Sequence, residues 1–231
     1  MPKESSATAE APHGAERSRR TPSTPAPQLV AMLRDAIVSG HLVPNQRLVE
    51  ADLSEEYNAS RGNVRIALSE LSVEGLVERV QNRGARVRAV SVQEAVEITE
   101  VRGAIEAMCA SKAAKRAGPD EIRTLRSIAE RMTHAVETGL LTEYSQCNKD
   151  LHSLIITMSG QRTAAETIKR LRGQAVRYQF RLSNHPGRPS VSLPQHLAII
   201  EAVCSHDPDA ASEAMSRHLE SVAEAIRSTD A

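Results

Sequence analysis

Aromatic side chains are scarce in this chain: they make up 2% of its 231 residues, with one Phe and no Trp. Aromatic and β-branched residues favour strands, whereas the abundant Ala, Leu, Arg and Glu favour helices. The composition therefore argues against an aromatic-rich β-sandwich and predicts a mostly α-helical protein. The length is sufficient for two ordinary domains, each with its own core.

Paired cysteines, long apolar runs and an excess of one charge are also missing. Cys109, Cys147 and Cys204 show no C-x-x-C spacing, which fits reduced thiols better than a disulfide framework. No apolar run approaches the roughly 18 residues of a membrane span, and the N-terminus lacks the apolar segment of a secretion signal. We therefore expect a cytoplasmic protein that does not contact membranes. Because the net charge is zero, any contact with nucleic acid must depend on local clusters of basic residues.

Residues 1–26 are rich in Ser, Thr, Ala and Pro and have almost no large apolar side chains. Such a segment cannot bury enough surface to offset the entropy of ordering, so we predict a disordered tail. The tail contains the basic run Arg17-Ser-Arg-Arg20. This run could contact a minor groove or the phosphate backbone as basic arms do, or it could simply be solvated.

Residues 50–71 have the pattern of a helix-turn-helix. Ser60 is suited to cap a helix that begins at Arg61. Apolar residues then recur at helical spacing and define a buried face: Val64, Ala67, Leu68 and Leu71. Arg61 and Arg65 lie one turn apart on the flank, where a guanidinium group can bond the edge of guanine or neutralise phosphate. The alternative is an ordinary solvated helix flank.

The residues on either side complete a winged helix. From Pro27 the pattern predicts an amphipathic helix that ends at Gly40, with Arg34 on its outer side. After Gly75, residues 76–80 and 85–90 alternate in the manner of strands around a polar tip that contains Asn82-Arg83-Gly84. A hairpin after a recognition helix is a wing, so residues 27–90 are predicted to be a winged helix-turn-helix DNA-binding domain.

Several motifs in this region resemble the winged helix of the GntR family of bacterial transcription regulators: Leu33-Arg34, Pro44-x-x-x-Leu48-Val-Glu50, Ala59-Ser-Arg61, Val64-Arg65-x-Ala-Leu68, Glu74-Gly-Leu76 and Asn82-Arg83-Gly84. The resemblance implies base or phosphate contacts at Arg34, Arg61, Arg65 and Gly84, with Asn82 and Arg83 beside them at the tip of the wing.

The sequence departs from the family pattern in three places, one of them a pair of residues. Asn45 follows Pro44 where glycine is usual, and we expect it to keep the bend because Asn tolerates the left-handed conformation. Gly62-Asn63 replaces Thr-Pro or Thr-Thr, and Ile66 replaces a common Glu. We expect Gly62 and Asn63 to face the groove and to change the operator sequence relative to the family.

A second, all-helical domain is predicted over residues 91–231. Ser91-Val-Gln-Glu94 has the form of a capping box and opens a long helical pattern that ends near Ala117. Further helices are predicted over residues 119–137, 142–158, 163–182, 193–205 and 208–227. Six or so helices with short connections predict an antiparallel bundle for the effector-binding and dimerisation domain. Residues 183–190 are the longest predicted break and could cover an opening into the bundle.

Four residues of this domain have the spacing of a metal site. Asn148 and His152 lie one turn apart, and His196 and His218 lie on two later helices. Three neutral imidazoles with an oxygen donor suit a divalent ion such as Zn, Ni, Mn or Fe. The spacing alone leaves open that these are surface histidines or satisfied core histidines.

The residues around these histidines resemble the ligand-bearing helices of the FCD effector domain, which occurs in the FadR subfamily of GntR regulators. The matching strings are Leu151-His152-x-x-Ile155, Gln195-His196-x-x-Ile199 and Ala214-Met-x-x-His218-Leu219. The resemblance implies a divalent metal held by His152, His196, His218 and the residue at position 148. The family commonly has Asp where this chain has Asn148, and a neutral amide leaves the site more positive and more attractive to an anion.

Arg102 and Glu106 match an Arg-x-x-x-Glu of the family's first bundle helix. The resemblance implies that Arg102 points into the cavity and binds a carboxylate of the effector, with Arg177 and Tyr178 as further candidates. The alternative is a helix-surface ion pair worth a few tenths of a kcal/mol.

These patterns predict a homodimeric, ligand-responsive repressor of a catabolic operon that a small organic acid releases from operator DNA. Two-fold symmetric half-sites motivate the dimer, because a single recognition helix reads few bases. A regulator that senses the metal itself is one alternative. A metal-dependent hydrolase is another, since three histidines leave a position for a metal-bound water. No obvious carboxylate base is predicted next to the histidines, so we do not expect an enzyme.

Overall fold

The first part of the chain folds into three helices beside a small sheet. The computed structural model describes residues 23–80, 84–176, 178, 182, 185 and 187–228. Its first six elements are α1 (Ala26–Ser39), β1 (Arg47–Leu48), α2 (Glu50–Glu56), α3 (Arg61–Val73), β2 (Val77–Val80) and β3 (Gly84–Val87). The strands are antiparallel in the order β1-β3-β2. This is the predicted winged helix, with the two-residue β1 as an addition that the sequence pattern did not indicate.

The recognition helix α3 begins where its capping residue predicts. Ser60 has extended backbone angles, and its Oγ accepts a hydrogen bond of 3.1 Å from the backbone N–H of Asn63. The predicted apolar face is buried: Val64, Ala67, Leu68 and Leu71. Because this face fixes the rotation of the helix, Arg61 and Arg65 on the flank are exposed.

The turn between α1 and β1 depends on the backbone of Asn45. Its φ of 63° lies in the left-handed region, which Asn and Gly adopt at lower cost than other residues. The backbone N–H of Asn45 donates to the carbonyl of Val87 at the end of β3. Asn45 therefore preserves the bend in place of the usual glycine, as expected.

The rest of the chain forms the predicted helical bundle. Its helices are α4 (Val92–Arg116), α5 (Pro119–Glu137), α6 (Leu141–Ser159), α7 (Arg162–Gln174), α8 (Arg188–Cys204) and α9 (Pro208–Arg227). Alanines on α4 are fully buried and allow α9 to pack closely along it, with Gly103 of α4 set against Leu219 of α9. The bundle core is separate from the winged-helix core. In the described parts of the chain, no helix has both the length and the apolar character needed to cross a membrane.

Two helix boundaries differ from the sequence prediction. The helix predicted over residues 163–182 is interrupted: α7 ends at Gln174, a turn follows at residue 175, and the described residues 176, 178 and 182 are again helical. α8 begins at Arg188, inside the stretch 183–190 that was predicted to be a loop. The reason is local: Gly187 has a φ of 83° and precedes the helix, and Pro189 occupies the first turn, where the amide it lacks would be unpaired.

The predicted capping box at the start of α4 forms only in part. Ser91 Oγ accepts a hydrogen bond of 3.1 Å from the N–H of Glu94, as predicted. The Glu94 carboxylate pairs with Arg88 Nη2. The ion pair takes the carboxylate away from the capping position because a charged partner is stronger than a backbone amide.

The two parts of the structure meet where the recognition helix ends. A Cβ atom on Gly173 of α7 would lie 2.6 Å from the carbonyl oxygen of Glu74, which follows α3. A Cβ atom on Gly75 would likewise lie 2.6 Å from Cγ of Gln174. The end of α7 is therefore seated directly on the backbone at the end of α3, and the contact requires glycine at position 173.

This contact predicts the effect of Gly173→Ala. In a helix this change ordinarily adds up to about 1 kcal/mol of stability. Here the new methyl group would meet a backbone oxygen that cannot move aside, so we expect urea unfolding to show a loss of about 1 to 3 kcal/mol. Lys169→Ala, at an exposed position one turn earlier on α7, is the control and should leave stability unchanged. A Gly173→Ala protein as stable as the wild type would contradict the close contact.

Candidate DNA-binding surface and ligand cavity

The predicted DNA-contacting residues of α3 lie together on an exposed surface. Arg61 and Gly62 are exposed at the first turn of the helix. Arg65 is one turn further on, with 66% of its side chain exposed, and its Nε donates to Glu50 Oε2 at 2.7 Å. An exposed ion pair of this kind is weak, so Arg65 can exchange the carboxylate for a phosphate or a base edge at little cost.

Asn63 has a different environment from its neighbours on the recognition helix. Its Nδ2 donates a hydrogen bond of 2.8 Å to the backbone carbonyl of Thr24, and the residue is half-buried. The side chain expected to face the groove is therefore engaged with the chain segment that precedes α1.

The remaining predicted DNA contacts lie on α1 and the wing. Arg34 is held by Glu74 in a bidentate ion pair, with Nε–Oε2 at 3.0 Å and Nη2–Oε1 at 2.7 Å. The hydrogen bond to Glu74 raises the pKa of the Arg34 guanidinium. Gly84 is exposed at the start of β3 with a φ of 87°. Asn82 and Arg83 lie outside the described residues.

Three helices of the bundle bring the predicted histidines together. His152 comes from α6, His196 from α8 and His218 from α9, and all three are buried. One nitrogen of each ring lies within 4.8 Å of the others. His196 Nε2 and His218 Nε2 are 3.2 Å apart. The structure thus assembles three imidazoles that are separated by as many as 66 residues in the chain.

Each imidazole is oriented by a partner at its other nitrogen. His152 Nδ1 is 2.7 Å from Glu106 Oε2, His196 Nδ1 is 2.9 Å from Tyr144 Oη, and His218 Nδ1 is 3.0 Å from Gln195 Oε1. A ring that donates from Nδ1 keeps the lone pair of Nε2 free. Outer partners of this kind fix the tautomer of histidines that bind metals.

The protonation states suit the same use. Burial, the largest effect, lowers the pKa of His152 and lowers the pKa values of His196 and His218 well below the usual range. The three rings are therefore neutral at pH 7. Burial also raises the pKa of Tyr144 to about 12, so this residue remains a neutral phenol beside His196.

Asn148 was predicted to add an oxygen donor to the three histidines. It lies on α6 one turn before His152 and lines the same cavity. Its Oδ1 is buried and has no hydrogen-bond partner among the described residues. A buried carbonyl oxygen without a partner is costly unless a cation or a donor fills the space. The donor set, three neutral imidazoles and one amide oxygen, fits a divalent metal.

Glu106 is the centre of a buried ion-pair cluster that adjoins the histidines. Its Oε1 accepts from Arg102 Nε at 3.1 Å and Nη2 at 2.9 Å, and its Oε2 accepts from Arg172 Nη2 at 3.0 Å as well as from His152. We call these four residues the Glu106 cluster. The Glu106 side chain is 1% exposed and that of Arg102 is 6% exposed, so the alternative of a helix-surface ion pair is wrong.

The charges of the Glu106 cluster determine its protonation. Burial is the largest single influence and raises the pKa of the Glu106 carboxyl, but Arg102, Arg172 and His152 together hold that pKa well below its usual value. Glu106 is therefore ionised at neutral pH. The sequence predicted no carboxylate base next to the histidines, and Glu106 corrects that expectation, although its oxygens are already engaged by three donors.

A polar cavity of about 110 Å³ lies between the histidines and three arginines. Arg102, Arg172 and Arg188 line it together with Asn148 and the three histidines. Arg188 Nη1 donates to Ser221, at 3.1 Å to Oγ and 3.3 Å to the carbonyl oxygen. Arg188 Nη2 and Arg172 Nε are buried without a partner in the part of the chain that the structure describes. Unpaired cationic donors beside neutral imidazoles are complementary to an anion in charge.

Arg172 and Arg188 were not among the predicted effector-binding residues. Arg172 belongs to an arginine-rich stretch of α7 that looks like a solvated face, and Arg188 falls within the predicted loop. The local signal for Arg188 was the sequence Gly187-Arg188-Pro189, which is suited to begin a helix at Arg188.

Arg177 and Tyr178 were the two further candidates for binding the effector, and the structure describes only one of them. Arg177 lies outside the described residues. Tyr178 Oη donates to the carbonyl of Val90 at 3.1 Å and lines another cavity, of about 250 Å³, between the winged helix and the end of α7. Within the described structure, Tyr178 is therefore not part of the histidine cavity lining.

Comparisons with known proteins agree with this architecture. The sequence model described as "Bacterial regulatory proteins, gntR family" matches residues 25–87, and the FCD domain model matches residues 97–221. The chain is 28% identical over 200 residues to the HTH-type transcriptional repressor RspR of Escherichia coli (strain K12), covering 87% of this chain and 88% of that protein.

Two further similarities extend over most of the chain. The HTH-type transcriptional repressor GlaR of Escherichia coli (strain K12) is 29% identical over 195 residues, with coverage of 81% of this chain and 89% of that protein. The solved structure of E. coli McbR/YncC superposes with a TM-score of 0.75 at 19% identity, covering 89% of this chain and 98% of that chain. The latter likeness shows that the fold is shared.

A winged helix joined to a helical domain with a cavity lined by arginines and histidines defines a ligand-responsive, DNA-binding transcription regulator. The chain belongs to the GntR family of bacterial regulatory proteins and carries an FCD domain. Members of this family are transcription regulators and not enzymes, in agreement with the sequence prediction.

The Glu106 cluster predicts a large loss of stability for Glu106→Gln. The change keeps the size of the side chain but leaves the buried Arg102 and the half-buried Arg172 without a counter-ion, which costs about 3 to 5 kcal/mol. Glu213→Gln is a matched control, because Glu213 and Arg217 form an exposed i,i+4 pair with 67% and 64% of their side chains accessible. Urea unfolding at neutral pH should show almost no change for the control. Equal effects of the two changes would contradict a buried, energetically coupled cluster.

Proposed function

We propose that this regulator is a homodimeric repressor of a catabolic operon, released from its operator when a small organic acid enters the cavity beside a bound divalent metal. The observation that carries the proposal is that three clustered histidines and unpaired cationic groups line one cavity. Neither part alone would require a ligand, but together they provide a site for a metal and for its anionic partner.

The metal would be held by His152, His196 and His218, with Asn148 Oδ1 as the oxygen donor. Zn, Ni, Mn and Fe all accept neutral imidazole and amide oxygen ligands. When bound, the ion supplies a positive charge that a carboxylate can coordinate. Because Asn148 is neutral, the site retains one more positive charge than it would with an aspartate, which favours an anionic effector.

The organic acid would be bound by the arginines of the cavity. Arg188 Nη2 and Arg172 Nε are buried donors without a protein partner, and Arg102 lies beside them. A carboxylate would satisfy both orphan donors and balance the positive charge of the metal and the arginines. A cavity of about 110 Å³ favours an acid of few carbon atoms over a long acyl chain.

The path from the cavity to the DNA runs along α7. Arg172 lines the cavity and is bonded to Glu106, and the next residue, Gly173, touches the backbone of Glu74 at the end of the recognition helix. Glu74 also holds Arg34 of α1. An effector that displaces Arg172 would therefore shift Gly173 and the backbone at the end of α3 that Gly173 contacts. A ligand-driven switch needs such a contact that differs between the bound and the free protein.

On the DNA side, we infer that Arg61, Gly62 and Arg65 enter the major groove and that the wing, with Asn82, Arg83 and Gly84, contacts the backbone. Arg34 would contribute after exchanging Glu74 for phosphate. Dimerisation would place two such units on symmetric half-sites. RspR and GlaR are both named as repressors, which supports repression as the mode of action.

A metal-sensing regulator is the second candidate. It is favoured by the donor set, since three imidazoles and the Asn148 oxygen need no organic ligand to hold an ion. The two candidates differ in what releases the DNA: the metal alone, or an organic acid in the presence of the metal.

A binding experiment separates the candidates. Protein dialysed against a chelator is titrated with Zn²⁺ or Mn²⁺, and affinity for an operator duplex is then measured with metal alone and with metal plus acetate, lactate, benzoate or citrate. We expect at least one carboxylate to weaken DNA binding only when metal is present. Release by metal alone would favour the metal sensor, and no response to any combination would contradict both.

The same experiment on His196→Ala tests the site. Loss of a ligand should lower metal affinity by more than the roughly 10- to 100-fold that loss of an outer partner costs. His134→Ala, at an exposed position on α5, is the control and should bind metal normally. The two variants should bind operator DNA equally well in the absence of metal, because neither residue lies on the DNA-binding surface.

A further inference from the structure

The larger of the two cavities described above lies where the winged helix meets the helical bundle. Its volume is about 250 Å³, more than twice the volume of about 110 Å³ between the histidines and the arginines. We call it the junction cavity. The residues of its wall that carry the argument are Ile37, Leu76, Arg88, Val90, Gln174 and Val176. None of the described residues that line the junction cavity also lines the histidine cavity, so the two are separate places for a ligand.

The wall of the junction cavity is largely apolar and comes from both parts of the structure. Ile37 and Leu76 belong to the winged-helix core, and Val176, which follows α7, packs against that core. Val90 packs against a different apolar cluster, which includes residues at the start of α4. The cavity is therefore unfilled space between two apolar clusters. The apolar body of a ligand would bury surface on both of them, which is favourable in water.

One cationic group, Arg88, lines this apolar space. Its Nη2 donates to the carboxylate of Glu94, and its backbone N–H donates to the carbonyl of Leu76 at 2.9 Å. Its Nη1 is buried and has no hydrogen-bond partner among the described residues. A buried cationic donor without an acceptor is costly. The side chain is thus held in place by Glu94 while one of its two terminal nitrogens lacks an acceptor.

We propose that the junction cavity is a second effector site, which binds a small carboxylic acid with a compact apolar body such as an aromatic ring. The carboxylate would accept from Arg88 Nη1, and the apolar body would lie against Ile37, Leu76 and Val176. A hydrogen bond from a guanidinium group to a carboxylate is about twice as strong as one between neutral groups, which favours an acid over an amide or an alcohol. The site requires neither the metal nor the acid proposed for the histidine cavity.

The position of the junction cavity connects it to DNA binding. Leu76 follows the last residue of α3 by three positions, and Gln174 is the neighbour of Gly173, which touches the backbone of Glu74. A ligand that contacts both sides of the cavity favours one arrangement of the winged helix on the bundle. If DNA favours another arrangement, each ligand weakens the binding of the other by the same factor.

A binding experiment on chelator-treated, full-length protein tests the site. The probe is para-fluorobenzoate, followed by fluorine NMR. We expect saturable binding, with affinity reduced about tenfold or more by Arg88→Met, which removes the charged donor but keeps an apolar stem. Val176→Phe should also abolish binding, because the larger side chain fills the cavity without altering Arg88. Val191→Phe, at an exposed position on α8, is the matched control and should bind normally. Thermal unfolding checks that each variant is folded.

Three results would overturn the proposed site. The first is the absence of saturable binding by the folded wild type, and the second is unchanged affinity in both Arg88→Met and Val176→Phe. The third is loss of binding in Arg188→Met alone, which would place the probe in the histidine cavity. The neutral para-fluorobenzamide should bind at least about tenfold more weakly than the acid, and equal binding would overturn the assignment of a carboxylate.

The effector role is tested with DNA. A duplex is selected from random DNA with the wild-type protein, and its affinity is measured by fluorescence anisotropy with chelator present, with and without saturating para-fluorobenzoate. Wild-type affinity should change by about fivefold or more, and Arg88→Met should show no change at the same concentration. Unchanged DNA affinity in wild-type protein that is saturated with the probe would overturn the effector role.

Discussion

A buried carboxylate with three partners determines the arrangement of the effector domain. Glu106 is 1% exposed and is bonded to Arg102 on its own helix, to His152 on α6 and to Arg172 on α7. A buried charge of this kind is tolerated only while its partners remain in place, since removing one leaves another uncompensated. The cluster therefore fixes the orientation of His152 toward its two fellow histidines and at the same time ties α7 to the wall of the cavity. A ligand that engages Arg172 through its unpaired Nε would compete with Glu106, which holds Nη2, for the position of this side chain.

Arg172 is connected to the DNA-binding surface through few residues. The residue after Arg172 is Gly173, which lies against the backbone carbonyl of Glu74 at the end of α3. The side chain of Glu74 is bonded to Arg34. At the other end of α3, Ser23 and Thr24 are bonded to the turn and to Asn63. The recognition helix is thus held at its C-terminal end by the effector domain and at its N-terminal end by Ser23 and Thr24. These two sets of contacts lie at opposite ends of one helix of thirteen residues.

Much of the fold and part of the site could be predicted from local patterns. The Ser60 cap, the buried face of α3 and the left-handed Asn45 follow from rules that act within a few residues. Family resemblance pointed to the histidines on α6, α8 and α9, which the structure brings together. The partners of Glu106 could not be read in the same way, because His152 and Arg172 are 46 and 66 residues away from it and their spacing has no period. Arg188 was not predicted because the start of its helix depends on Gly187 and Pro189. Asn63 was predicted to face the groove because the segment that it contacts had no helical or strand pattern.

Hydrogen–deuterium exchange tests the link between the cavity and the recognition helix most directly. Chelator-treated protein is compared with protein saturated with Zn²⁺. If the Glu106 cluster transmits occupancy of the cavity, exchange should slow around the three cavity histidines and also at residues 171–176 and 72–76. Exchange in α5, which supplies none of the three cavity histidines, should stay unchanged. Protection confined to α6, α8 and α9, with unaltered exchange at residues 72–76, would contradict transmission through α7.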